Sequence, residues 1–88
     1  MDIKDLLKGV GIEVFVKYFK YFNNPNYEVA DIIEILPNEY TEKSRKSRIS
    51  KARTIIREKR IQEALNYIIA STKISDKIKN IAINTIKA

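Results

Sequence analysis

Nine basic side chains lie within the eighteen residues from Lys43 to Arg60, and Glu58 is the one acid among them. This segment carries a net charge of +8, which exceeds the +6 of the whole 88-residue chain. Residues 1–42 carry −4 and residues 61–88 carry +2. Lysine and arginine at this density can neutralise phosphate groups and release the counterions that surround a nucleic acid. The charge pattern therefore predicts a polyanionic partner.

The residue types that most enzymes use are missing. The chain contains neither cysteine nor histidine, which excludes disulfides, thiolate metal sites, thiol nucleophiles and the commonest general base. No carboxylate pair or glycine-rich phosphate loop takes their place. We therefore expect a protein that is not an enzyme and that uses no metal ion or cofactor.

Features of a secreted or membrane protein are also missing. The N-terminus begins with acids where a signal peptide would carry positive charge. No apolar run approaches the roughly 18 to 20 residues that a membrane span needs. We expect no membrane association and a cytoplasmic location, at the nucleoid if the protein is prokaryotic.

The positions of glycine and proline predict the fold class. Glycine stops at Gly11 and proline at Pro37, and the 51 residues that follow are rich in good helix formers. No Asn-Gly or Asp-Gly hairpin signal occurs. We predict a single all-α domain over residues 1–88, a compact bundle of about five to six short helices.

Three helices are predicted in the N-terminal half. The first, residues 2–8, is expected to stop at Gly9 and Gly11. The second, residues 12–22, has a narrow polar stripe opposite an apolar face that consists of Ile12, Phe15, Val16, Phe19 and Phe22. We expect this face to join the core rather than to stack on nucleic-acid bases. The third, residues 28–36, should bury Val29, Ile32, Ile33 and Leu36.

Three more helices are predicted in the C-terminal half. Thr41 is the expected N-cap of the basic helix, whose apolar residues are Ile49, Ala52, Ile55 and Ile56. The apolar residues of the next helix are Ile61, Ala64, Leu65, Ile68 and Ile69. They face nearly the opposite side from those of the basic helix, which predicts a bend at residues 58–60. A turn at 71–73 should precede a last helix that Ser75 caps and that buries Ile78, Ile81, Ala82 and Ile86.

A short helix, a polar turn and a basic helix follow one another over residues 28–58, which is the order of a helix-turn-helix. The second helix, residues 41–58, would enter the major groove of DNA. We expect Lys46, Ser47 and Ser50 to reach base edges. Lys43, Arg45 and Arg48 should hold the DNA backbone, and the Tyr40 hydroxyl should reach a phosphate. The full predicted nucleic-acid-binding set is Tyr40, Thr41, Lys43, Ser44, Arg45, Lys46, Ser47, Arg48, Ser50 and Lys51.

Residues 31–57 resemble the DNA-binding end of bacterial sigma factors and related helix-turn-helix regulators. The resemblance is carried by Asp31-Ile-Ile-Glu-Ile-Leu36, followed by Lys43-Ser-Arg-Lys-Ser-Arg-Ile-Ser-Lys-Ala-Arg53. In those families an acidic first helix leads into a recognition helix that reads roughly Lys-Ser-Arg-Leu-Ser-Arg-Ala-Arg. The turn here is about two residues longer than the usual one and has Pro37 where those families have glycine. The resemblance implies a regulator of transcription that binds double-stranded DNA.

Two classes of function stay open. The first is a small DNA-binding regulator, which would pair as a homodimer through residues 75–88 so that two helices reach successive major grooves. The second is a helical accessory subunit of a larger DNA replication or transcription complex. It would dock on a bigger protein through its acidic N-terminal half and basic middle, because complementary charge steers association. A basic helix face that is simply solvated is the structural alternative to both.

Overall fold

A computed structural model describes residues 1–86, which form seven helices and no strand. The helices are α1 (Ile3–Val10), α2 (Ile12–Lys17), α3 (Phe19–Phe22), α4 (Val29–Ile35), α5 (Glu42–Arg57), α6 (Ile61–Ala70) and α7 (Asp76–Ile86). The Cα radius of gyration is 12.1 Å, against about 12 Å for a compact domain of this length. The predicted all-α class is confirmed. The last predicted helix extended to residue 88, and residues 87–88 lie outside the described part.

The prediction of five to six helices was one too low, because the predicted helix 12–22 is divided at Tyr18. This residue has φ −110° and ψ 14°, outside the regular helical region, so α2 ends and α3 begins there. Phe15, Phe19 and Phe22 are buried on both sides of the break. The Phe15 and Phe19 rings meet edge to face with centroids 5.5 Å apart. The prediction that these aromatics form core is confirmed.

Gly11 stops α1 as predicted, whereas Gly9 does not. Helix α1 continues through Gly9 to Val10 and has Gly11 as its C-cap, so the predicted end at residue 8 was two residues too early. Gly11 has φ +89°, a backbone conformation that residues with a β-carbon rarely adopt. At Gly9 a β-carbon would overlap the aliphatic stem of Lys51. The missing side chain therefore leaves room for the stem of Lys51 beside α1.

All seven helices contribute to one core. Helix α1 contacts α2, α5 and α6, while α7 contacts α2, α3 and α6. The buried residues of residues 1–86 are all apolar, and each large one stabilises the fold by about 1.5 to 3 kcal/mol relative to an exposed side chain. Helix α7 buries Ile78 and Ala82, and the Ile78 amide donates to the Ser75 hydroxyl as predicted.

Two residues predicted to be buried are exposed. Val29 keeps 42% of its surface exposed and Ile69 keeps 39%. Val29 is the first residue of the seven-residue helix α4, and a terminal position has fewer neighbours than a central one. Ile69 lies at the border of the apolar face of α6, about 90° from the centre of that face at 3.6 residues per turn.

The predicted bend between the basic helix and the next one is confirmed. Lys59 has φ +58°, in the left-handed region. Its amide donates to the Ile56 carbonyl at 3.0 Å, and the Arg60 amide donates to the Ile55 carbonyl at 2.9 Å. This pair of hydrogen bonds is the Schellman motif that ends many helices, here with lysine where glycine is usual. Among residues 1–86, no helix combines the length and apolar character that crossing a membrane requires.

Candidate nucleic-acid interface

Helix α5 begins at the predicted cap. The Ser44 amide donates to the Thr41 hydroxyl oxygen at 3.1 Å, and Glu42 stands in the first turn, where the helix dipole favours an acid. The helix has 16 residues and is therefore about 24 Å long. Its inward side buries Ile49, Ala52 and Ile55. The prediction that the isoleucines turn away from solvent is confirmed for Ile49 and Ile55, and Ile56 is half-buried.

Three half-buried arginines of α5 bind backbone carbonyls of neighbouring segments. Arg45 donates from Nη1 to the carbonyl of Ile33, in the last turn of α4, at 2.9 Å. Arg53 donates from Nη2 to the carbonyls of Asn24 and Tyr27, in the loop between α3 and α4. Carbonyls near the end of a helix lack partners within the helix and carry partial negative charge. Arg45 satisfies such a carbonyl, Arg53 binds two loop carbonyls, and both side chains tie α5 to the segments around it.

Arg48 makes the most extensive of these connections. Its Nη1 donates to the Val10 carbonyl at the end of α1, at 2.6 Å, and its Nε donates to the Ser44 hydroxyl at 3.1 Å. Its guanidinium carbon lies 3.9 Å from the centroid of the Tyr40 ring, within the range of a cation–π contact. We call this group of residues (Val10, Tyr40, Ser44 and Arg48) the Arg48 clamp. It joins α1, the turn before α5 and α5 itself.

The opposite side of α5 is exposed and basic. Five exposed residues spaced three, four or seven apart form it, and we call them the outward face: Lys43, Lys46, Ser47, Ser50 and Arg57. Lys51 borders this face, and its ammonium donates to the Ser47 hydroxyl at 2.7 Å.

The positive charges of the outward face have no acidic partner within the described residues. The ion pairs found there lie elsewhere: Lys17 with Glu13 at 2.6 Å, and Arg60 with Glu58 at 3.6 Å and with Glu63 at 2.9 Å. Hydrogen bonding to Lys17 and Arg60 lowers the pKa of Glu13 and Glu63, respectively. The same residues 1–86 hold no cluster of three or more acids that could ligate a metal ion.

The ten predicted site residues divide into two groups. Lys43, Lys46, Ser47 and Ser50 lie together on the outward face, with Lys51 at its border. Tyr40, Ser44, Arg45 and Arg48 are half-buried and engaged within the protein, and Thr41 caps the helix. The predicted set omitted Arg57, although its spacing from Lys43 and Ser50 continues the same stripe.

Comparison of the chain with protein-family models, with curated proteins and with solved structures finds no significant match.

Proposed function

We propose that this protein binds double-stranded DNA through the outward face of α5. The observation that carries the proposal is the placement of Lys43, Lys46 and Arg57 along one exposed stripe, with no carboxylate within 4.0 Å among the described residues. Because the inward arginines already hold the helix in place, little further ordering is needed when it binds.

An α-helix presented in this way fits the major groove of B-DNA, which is about 12 Å wide. In the proposed complex Lys46, Ser47 and Ser50 approach base edges, while Lys43, Lys51 and Arg57 approach phosphates. Arg45 and Arg48, which the sequence favoured as contacts to the DNA backbone, instead position α5. Helix α4 precedes α5 in the chain and contacts it, so it would support α5 as the first helix of a helix-turn-helix does.

As a transcription regulator, the protein would bind DNA as a homodimer. Helix α7 uses Ile78 and Ala82 in the core and leaves Ile83 with 39% of its surface exposed. A pairing surface within the predicted segment 75–88 would therefore centre on Ile83. Sedimentation of the protein with and without a duplex distinguishes one bound copy from two.

The test of the proposal is the double variant Lys43→Glu/Lys46→Glu, measured by fluorescence anisotropy with a labelled random-sequence duplex. Each phosphate contact contributes about eightfold to affinity near 0.1 M salt, so losing two should weaken binding at least fiftyfold or so. Both side chains are exposed, so the melting temperature should stay close to that of the wild type.

The matched control is Lys4→Glu/Lys8→Glu, which makes the same change in net charge on α1. This control should weaken binding to the duplex far less than Lys43→Glu/Lys46→Glu does, because salt screens charges that do not themselves contact a phosphate. Equal losses in the two variants, or an unchanged affinity in Lys43→Glu/Lys46→Glu, would show that α5 is not the DNA-binding element.

A further inference from the structure

A second basic surface lies apart from α5. A groove of about 510 Å³ opens between α1, the start of α2 and the turn that joins α6 to α7. The residues that line it include three lysines, Lys4, Lys8 and Lys73, which we call the rim, and three apolar residues, Ile12, Ala70 and Ile74, which we call the floor. No carboxylate is among the residues that line it. The groove thus combines an apolar floor with a uniformly positive rim.

Helix α1 separates this groove from the outward face of α5. Gly9 packs against Lys51 of α5, whereas Lys4 and Lys8 border the groove. At 3.6 residues per turn these two lysines point roughly 100 to 140° away from Gly9 around the helix. The two basic surfaces therefore lie on different sides of α1, and charge reversal on one can leave the other intact.

The lysines of the rim are available to a ligand. All three are exposed, and no carboxylate lies within 4.0 Å of their ammonium groups in the described part of the chain. On the floor, Ile12 and Ile74 are half-buried and Ala70 is exposed. An occupant would gain from covering this apolar surface and from pairing its negative charges with the rim.

We propose that the groove binds a short acidic, amphipathic segment of a partner protein. An apolar side chain of that segment lies on Ile12, Ala70 and Ile74, and carboxylates on either side of it pair with Lys4, Lys8 and Lys73. The charge complementarity and the apolar floor together define this chemistry.

A protein segment fits the groove better than a nucleic acid does. Binding of single strands depends on aromatic side chains that stack with successive bases, and on a basic track along the backbone. Here the floor is mainly aliphatic, with Tyr67 as the aromatic contribution, and the lysines come from two separate elements. This inference does not depend on DNA binding by α5, and the two can fail separately.

The experiment uses a fluorescein-labelled peptide in which two leucines are flanked by glutamates, and a second peptide with serines in place of the leucines. Near 0.15 M salt, where the Debye length is about 8 Å, wild-type protein should bind the leucine peptide saturably. It should bind the serine peptide at least about tenfold more weakly, because burial of the leucines contributes that much. Amide shifts in an NMR titration should centre on Ile12, Ala70 and Ile74.

Two variants test the rim and the floor separately. Lys4→Glu/Lys8→Glu should weaken binding of the leucine peptide by about tenfold or more, since two attractive pairs become repulsive. Ala70→Trp fills the floor from an exposed position without changing charge, and it should weaken binding to a similar degree. Lys43→Glu/Lys46→Glu, which makes the same charge change on α5, should bind the peptide as the wild type does.

Several outcomes would overturn the inference. Absence of saturable binding by the wild type is one, and equal weakening by the α1 and α5 double variants is another. A third is equal affinity for the leucine and serine peptides, which would mean that charge alone attracts them. Displacement of the peptide by an unlabelled oligothymidylate, with NMR shifts at the same three residues, would assign the groove to nucleic acid instead.

Discussion

Three of the four arginines of α5 lie on a different side of the helix from Lys43 and Lys46, and side-chain chemistry explains why; Arg57 is on the outward face. Arg45, Arg48 and Arg53 are half-buried and donate to backbone carbonyls, whereas Lys43 and Lys46 are exposed. A guanidinium offers five donors in a rigid plane and is weakly hydrated, so it can bind several acceptors in a partly dry position. An ammonium is compact and strongly hydrated, and it is better placed in water.

Replacing Arg48 with lysine keeps the charge but breaks the Arg48 clamp. Lysine cannot reach the Val10 carbonyl and the Ser44 hydroxyl together while stacking on Tyr40. Because hydrogen bonds to a charged group contribute about 1.5 to 3 kcal/mol, we expect Arg48→Lys to lower the free energy of unfolding by an amount in that range. Urea denaturation followed by circular dichroism measures it.

The control for Arg48→Lys is the reverse exchange on the outward face. Lys46→Arg alters an exposed side chain and should change the free energy of unfolding by less than about 0.5 kcal/mol. If both exchanges have the same small effect, the clamp contributes nothing measurable to stability.

The Arg60–Glu63 pair predicts a weak dependence of stability on pH. Arg60 donates to both carboxylate oxygens of Glu63, at 3.1 and 2.9 Å, and this lowers the pKa of Glu63 from its ordinary value of 4.5. A carboxylate whose pKa is lowered in the folded state stabilises the fold above its unfolded pKa. That contribution is lost as the pH falls through the lowered value.

The variant Glu63→Gln removes this contribution at all pH values. Near neutral pH it should be slightly less stable than the wild type, and the difference should shrink once the pH falls well below 4.5. The effect is small because the pair is exposed to solvent. Denaturation of both proteins across this pH range measures the difference, and a constant difference would contradict the prediction.

At the scale of the helices, local signals in the sequence were sufficient to place α5. Thr41 supplies a hydroxyl that caps the helix, Ile49, Ala52 and Ile55 mark its buried side, and the change of apolar face after residue 60 marks its end. Each of these signals acts over a few residues. The same local spacing distinguishes Lys43, Lys46, Ser47 and Ser50 as outward residues.

Features that depend on distant segments could not be predicted in this way. Arg48 binds the Val10 carbonyl, 38 positions away, and nothing in the basic run identifies that partner. Gly9 was expected to stop α1, but it lies within the helix and packs against the side chain of Lys51. The break at Tyr18 interrupts a pattern whose apolar spacing is continuous. The contacts of Arg48 and Gly9 join segments far apart in the chain, so short-range spacing does not encode them.

The end of α5 carries a lysine in a conformation that glycine adopts more readily. The φ of Lys59 is +58°, and this left-handed conformation costs a residue other than glycine about 1 to 2 kcal/mol. Glycine avoids that strain, but its greater conformational freedom in the unfolded chain cancels part of the gain. We expect Lys59→Gly to raise the free energy of unfolding by up to about 1 kcal/mol. Lys59→Ala removes the same charge but keeps the strain, so it should give no gain. Thermal unfolding of the two variants compares them.

The whole molecule carries its charge in distinct regions. Residues 1–42 are net negative and residues 43–60 are strongly positive. Three basic residues of the positive segment, Arg45, Arg48 and Arg53, are half-buried and bind carbonyls within the protein. Arg60 is paired with acids. The number of charges that can meet a polyanion is therefore smaller than the composition indicates.

This reduced number predicts the salt dependence of DNA binding. If Lys43, Lys46 and Arg57 contact phosphates, with or without Lys51, a plot of log affinity against log salt should have a slope of roughly −3 to −4. Contact by all nine basic residues of the segment would give a slope near −8. Anisotropy titrations at several salt concentrations measure the slope, and a value near −8 would contradict the assignment of the arginines to the interior.

The separation of Lys43 and Lys46 from the three arginines that bind carbonyls has a consequence for covalent modification. Acetylation converts a lysine amine to a neutral amide and does not alter arginine. On this helix it would remove charge from Lys43 and Lys46 while the carbonyl contacts of Arg45, Arg48 and Arg53 remained. An acyl-transfer reaction at these two amines would therefore weaken attraction to polyanions and leave the tertiary structure in place.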